Sequence, residues 1–203
     1  MKILICIIIL ISFPASGLYA QYYPEVWDST AIYENDYLKI EVPKKWRYNE
    51  VPKSNAESSG MLMIFEGSGI GFPYIVNDNP FIVNATIVKA NNISSLDSLE
   101  TLFLEDMQKG KDVDKVFEDN YTPLVEEFTT KSGNKGKVVK HRYFRKSKGL
   151  SQSRYSFLIL DEETKNAFVF GISYQYDGSY KSTEDFLNLT KFSKDIFNNF
   201  ELK

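Results

Sequence analysis

Residues 153–177 read SRYSFLILDEETKNAFVFGISYQYD. Two runs rich in aromatic and β-branched side chains flank a short polar segment, DEETKN, which is the pattern of a β-hairpin. Phe157 to Leu160 and Ala167 to Ile172 are almost unbroken in hydrophobicity. A strand exposed on one face would alternate polar with apolar residues. Continuous runs predict strands near the middle of a sheet, covered on both faces.

On the N-terminal side of this hairpin the chain supplies more strands. Leu124 to Thr130 and Lys137 to Arg145 read as strands separated by the turn Lys131 to Gly136, and a second turn spans Lys146 to Leu150. Phe81 to Ala90 is a strand with Phe81, Val83, Ala85 and Ile87 on one face. Met61 to Phe65 is a shorter one, preceded by polar loop from Val51 to Gly60. Leu38, Ile40 and Val42 alternate with Lys39 and Glu41, a half-buried strand that Pro43 ends. Trp46, just after it, is expected to pack as a lid over one end of the core. Gln21 to Ile32 reads as an N-terminal arm.

Two helices complete the pattern. Ser94 to Asp97 opens the first, with Ser94 and Asp97 at capping-box spacing; Leu96, Leu99, Phe103 and Met107 recur at helical spacing, and Gly110 is the stop. Lys111 to Asn120 is charged and reads as a short helix or a loop. The second helix lies near the C-terminus. Phe186, Leu189, Phe192, Ile196, Phe197 and Phe200 make an apolar stripe that must pack on the sheet, and Ser182 and Asp185 repeat the capping spacing. No internal repeat, linker or low-complexity tract interrupts residues 21–203, which read as one α+β domain.

The first twenty residues, MKILICIIILISFPASGLYA, read as a secretory signal peptide: Lys2, an apolar run from Ile3 to Ile11, then small residues. The run is too short for a membrane span. Cleavage is expected after Ala20, with Gly17 the second choice. Cys6 is the only cysteine and lies inside this leader, too early for lipid attachment, so the mature chain is expected to lack disulfides and thiol chemistry. Removing Lys2 leaves 23 basic against 27 acidic residues, or −4. That balance argues against general nucleic-acid binding. The expected location is exported, periplasmic or extracellular.

Catalytic and metal motifs are absent from the sequence, and no cofactor is expected. The segment Gly67 to Pro73 (GSGIGFP) has the wrong spacing for a dinucleotide or P-loop fingerprint, and Pro73 bars an immediate helix. His141 is the only histidine, between Lys140 and Arg142, and reads as a surface strand residue. Asn-x-Ser/Thr sequons occur at Asn84, Asn92, Asn120 and Asn188 and matter only in a host that glycosylates them.

Charge is the uneven feature. No acidic residue lies between Glu127 and Asp161, a window with Lys131, Lys135, Lys137, Lys140, Arg142, Arg145, Lys146, Lys148 and Arg154. Asp97 to Glu127 carries ten acids against three bases. A hairpin bearing Lys135, Lys137, Lys140, Arg142, Arg145, Lys146 and Lys148 suits an anionic protein, lipid or polysaccharide surface. The plainer reading is a solvated face whose charges also guard a sheet edge.

The run Tyr37-Leu38-Lys39-Ile40-Glu41-Val42-Pro43-Lys44-Lys45-Trp46 resembles the opening strand of the PsbP-like family, where a strand runs into Pro-x-x-Trp. AFVFGISYQYD followed by a helix closing in DIFNNFEL is similar to that family's ending, with Asn199-Phe200 where Ser-Phe is usual. The resemblance spans about Tyr33 to Leu202. It implies an antiparallel sheet sandwiched by helices. It also implies action by binding, as in photosystem II extrinsic subunits and a relative that binds the GTPase Ran, with no catalytic residues to carry over. The leader is of the bacterial export type, which argues against a photosystem role. The expectation is therefore an exported, non-enzymatic binding or accessory protein. The alternative is an envelope hydrolase using His141 with carboxylates.

Overall fold

The structure is a computed structural model that describes residues 30–44, 46–69, 81–109, 115–117, 123–145, 150–177 and 183–203. The leader, most of the glycine-rich loop, Gly110, Ser182, Lys146 and Lys148 lie outside these residues.

The fold is α+β, with antiparallel sheets and three helices. The hairpin is at its centre. Strands β9 (Leu150–Leu160) and β10 (Ala167–Asp177) pair along their whole length, from Ala167 opposite Leu160 to Asp177 opposite Leu150. Asp161 builds the turn. Its carboxylate accepts the amides of Glu163 and Thr164, at 3.0 and 3.3 Å, and the Thr164 hydroxyl. The Thr164 hydroxyl, ahead of the amides and Lys165, holds that carboxyl below its ordinary pKa.

Around the hairpin an eight-stranded sheet runs in the order β3 (Arg47–Asn49), β4 (Met61–Gly69), β5 (Phe81–Ala90), β10, β9, β8 (Lys135–Arg145), β6 (Lys115–Phe117). The eighth strand, β7 (Leu124–Thr129), also pairs with β8, beside Lys135 to Lys140, while β6 takes Tyr143 to Arg145. A second, three-stranded sheet has the order β1 (Thr30–Glu34), β2 (Leu38–Pro43), β11 (Phe200–Leu202).

Both faces of the large sheet are covered, as the continuous apolar runs require. On one face, Tyr155, Phe157, Ile159, Phe168, Phe170, Ile172 and Tyr174 join Val83, Ala85, Ile87 and Val138. They pack against the small sheet (Leu38, Ile40, Val42, Phe200) and helix α3 (Thr183–Phe197) through Leu189, Phe192, Ile196 and Phe197. On the other face the alternate positions Val139, Leu158, Leu160, Ala167 and Val169 pack against Leu99, Phe103 and Met107 of helix α2 (Leu96–Lys109). Trp46 is 2 % exposed and sits edge-on to Phe192, the expected lid.

Several elements differ from the sequence reading. The polar stretch before Met61 contains a helix, α1 (Lys53–Ser59), ended by Gly60 at φ 67° with its amide bonded to the Ala56 carbonyl. The segment KSNAESS has no apolar stripe, so periodicity could not reveal it. The N-cap of α2 is Ser95, whose hydroxyl accepts the Ser98 amide at 3.1 Å; Ser94 instead meets the Ser98 hydroxyl. The charged segment after α2 contributes strand β6. Residues Thr30 to Ile32, read as an arm, belong to β1. Phe200 is not part of the helix; the chain turns at Asn198 and Asn199, and Phe200 enters the small sheet opposite Ile40.

Candidate functional site

The α2 face of the large sheet changes character along its strands. Directly opposite residues in antiparallel strands share a face. Under the start of α2 one row is Lys137, Leu158, Val169 and Val88. The next is Val139, Ser156, Gly171, Thr86 and Ile64. The third is polar across six strands: His141, Arg154, Ser173, Asn84, Glu66 and Arg47. Beyond it come Tyr143, Gln152 and Gln175. The polar rows are covered all the same: His141, Tyr143, Gln152, Arg154, Ser156 and Ser173 are all buried.

Arg154 is the anomaly in this layer. It is 8 % exposed, and among the described residues its Nε has no hydrogen-bond partner. Burial pushes its pKa down; the Tyr143 oxygen and Asp106, in the last turn of α2, act weakly in the other sense. Arginine stays charged regardless, so the chain holds a cation in a low-dielectric layer. Two neighbours on the same strand and face share this unmet capacity: Gln152 Nε2 and Ser156 Oγ are also buried without a partner among the described residues. The Tyr143 hydroxyl donates to Gln152 Oε1, which fixes the amide with its NH₂ as the remaining group.

The guanidinium reaches across β10 at Gly171. A side chain begun there would have as its nearest atoms Arg154 Nη2 at 3.3 Å, Arg154 Nε at 3.6 Å and Thr86 Oγ1 at 3.7 Å. The guanidinium therefore packs against the Gly171 backbone, where any other residue would place a side chain.

The residues singled out from charge fare differently. Lys137 lies on the α2 face with its side chain 13 % exposed, bonded to Asp97 and Glu100 at 2.6 Å each and 3.8 Å from Glu127. The hydrogen bonds that Lys137 donates to Asp97 and Glu100 push its pKa well up, outweighing burial. Lys140 lies on the opposite face, 3.0 Å from Glu126, which also pairs with Lys194 of α3. The acid-rich and base-rich stretches of the sequence are thus partners in space. Lys135 is exposed and Arg142 half-buried; Arg145 closes β8 opposite Leu150 and Lys115. Of these residues, Lys135 and Lys137 share one face of β8 and Lys140 and Arg142 the other, while Lys146 and Lys148 lie outside the described residues.

Glu126 gives this pairing a pH signature. Burial alone would raise its pKa; hydrogen bonds from Lys194 and Lys140, with their charges, outweigh burial and leave it below the usual 4.5. A carboxylate with a depressed folded pKa adds stability that is present above the unfolded value and lost as pH falls through the folded one. Between about pH 5 and pH 3 the wild type is expected to lose more stability than Glu126→Gln, measured by urea unfolding at each pH. Parallel pH profiles would refute the pairing.

His141 is not a surface residue. It is 3 % exposed, stacked on Tyr143 with ring centres 5.7 Å apart, and faces Arg154 across the strand pair. Strand parity carried the signal that the sequence reading missed. Gln152, Arg154 and Ser156 alternate with Ser153, Tyr155 and Phe157 in a strand covered on both sides, so a polar set had to be buried. Among the described residues no group of three or more His, Cys, Asp or Glu could hold a metal, and no helix is long and apolar enough to cross a membrane.

No family model matches the chain, and no curated protein matches it. Among solved structures it is similar to LpqN of Mycobacterium tuberculosis, described as involved in cell envelope biogenesis. The identity is 11 %, over 88 % of this chain and 92 % of that one, with a TM-score of 0.44. A likeness of that size carries no functional argument.

Proposed function

We propose that this chain is an exported binding or accessory protein of PsbP-like fold that acts by holding an anionic ligand, not by catalysis. One observation carries the reading: a buried guanidinium whose Nε, like Gln152 Nε2 and Ser156 Oγ beside it, has no hydrogen-bond partner among the described residues. Leaving a buried cation without partners costs folding free energy, and a ligand that brings negative charge offsets that cost. Opposite His141 stands Arg154 rather than a carboxylate, which is a poor setting for a general base.

The test is native mass spectrometry of the protein purified from its own host. An acidic small molecule bound one to one with the wild type and absent from Arg154→Met is the expected result. A wild type that carries no added mass overturns it. A surface contact through the β8–β9 hairpin is the second reading, favoured by the exposure of Lys135 and the partial exposure of Arg142. It draws in Arg145, Lys146 and Lys148 as well, and leaves Lys137 and Lys140 to their acids. Retention of a partner that survives Lys135→Glu with Arg142→Glu would exclude it.

A further inference from the structure

Strand β11 has a partner on one side only. Glu201 lies opposite Lys39, and the Lys203 amide donates to the Tyr37 carbonyl at 3.1 Å, so these two residues turn their backbone groups toward β2. Backbone groups of successive residues in a strand point to opposite sides. The Phe200 carbonyl and the Leu202 amide therefore point away from β2, to an edge where no further described strand pairs. Such an edge leaves a donor and an acceptor unmet unless something covers it.

Here a turn covers it. The Ser132 hydroxyl donates to the Phe200 carbonyl at 2.9 Å, and Asn134 Oδ1 accepts the Leu202 amide at 3.2 Å. A neighbouring strand would offer the same pair, one donor and one acceptor. The grip reaches back to the end of α3. The Lys131 amide donates to the Asn198 carbonyl and Lys131 Nζ to Asn199 Oδ1, both at 3.3 Å.

We propose that Lys131 to Asn134, the turn between β7 and β8, is a clasp that takes the place of a strand on the open side of β11 and holds the small sheet shut over the aromatic layer. This goes beyond the anion-binding reading and does not depend on it.

The clasp is braced from within. The Thr130 amide donates to the Asn134 carbonyl at 3.0 Å, the Gly133 amide to the Thr130 carbonyl at 3.0 Å, and the Asn134 amide to Thr130 Oγ1 at 3.1 Å. Thr130 is itself buried, and Gly133 stands at φ 88°, a conformation that glycine adopts without strain. Ser132 and Asn134 are thus held in position by the large sheet, and little freedom is lost when they close on β11. What they hold matters more than its length. Three residues make a short strand, yet one of them is Phe200, fully buried and packed against Phe157, Phe168 and Phe170. The same bonds therefore fasten the small sheet to the large one, and their loss frees β11 as a unit.

The test is native-state amide exchange, followed by NMR, in the full chain carrying Ser132→Ala with Asn134→Ala. The Leu202 amide loses its own acceptor in that variant. The deciding amide is that of Lys203, whose acceptor on β2 is untouched. Its exchange should quicken at least about tenfold, as the loss of two hydrogen bonds that hold the strand implies, while the amides of β9 and β10 keep their rates. Asn134→Asp keeps the oxygen acceptor and should leave Lys203 near wild type. Faster exchange confined to Leu202 overturns the clasp. Exchange that quickens equally across β9 and β10 overturns it as well, because the turn would then support the whole fold and not β11 in particular. An Asn134→Asp chain as loose at Lys203 as Asn134→Ala overturns the role given to the Asn134 oxygen.

Discussion

Phe157→Ala is expected to lower folding stability by about 3–5 kcal/mol, seen as a fall in the urea midpoint at unchanged slope. Phe157 is fully buried in the central hairpin. Its ring stands edge-on to Phe128 of β7 at 5.1 Å and Phe200 of β11 at 6.3 Å, and lies 5.5 Å from Phe197 of α3. It also covers Gly136 of β8, where a side chain would begin 2.5 Å from the ring. One side chain thus joins two strands of the large sheet, the closing helix and the small sheet. Truncation removes the contacts of three rings at once, and the surrounding backbone is tied into ladders that limit collapse into the gap. A loss below about 1 kcal/mol would mean that the cluster repacks freely, against the close packing of such interiors.

Arg154→Met is expected to do the opposite in the absence of ligand and raise stability by about 1–4 kcal/mol. Methionine keeps most of the length and the apolar stem, and removes a cation that the described residues leave without an ion pair. Buried charges replaced by well-packed apolar side chains of similar volume behave in this way. Urea unfolding in chloride buffer measures the gain. A methionine variant less stable than the wild type would show that the guanidinium is satisfied in the native state without ligand. The site reading would then fail together with the stability prediction.

The parts of this architecture that can be read from sequence are those where burial writes a pattern. The hairpin is legible because Phe157 to Leu160 and Ala167 to Ile172 are apolar on both parities, which only a doubly covered strand tolerates. The stripe of Leu99, Phe103 and Met107 marks α2 for the same reason. Helix α1 is hidden because KSNAESS buries no apolar face. The small sheet is hidden because its strands β2 and β11 are joined across nearly the whole chain, and local sequence carries no record of such a partner. The candidate site was half visible. The run of bases was plain, but a linear reading weighs every cation alike. The fold spends Lys137 and Lys140 on Asp97, Glu100 and Glu126, and leaves Arg154 under cover.

The pairing of β11 with β2 sets a timetable for the chain. Phe200 to Leu202 close the small sheet against Leu38 to Ile40, and the Lys203 amide bonds the Tyr37 carbonyl at 3.1 Å. These residues come after every other described strand and helix in chain order. Until they arrive, β2 lacks its second neighbour and the aromatic layer above β9 and β10 stays open on one side. The large sheet and α2 can form early, whereas the α3 side can seal only once β11 is present. Contacts between such distant segments also form slowly. A growing chain is therefore kept from locking prematurely by its own connectivity, and a change at Phe200 to Leu202 acts on that closing step.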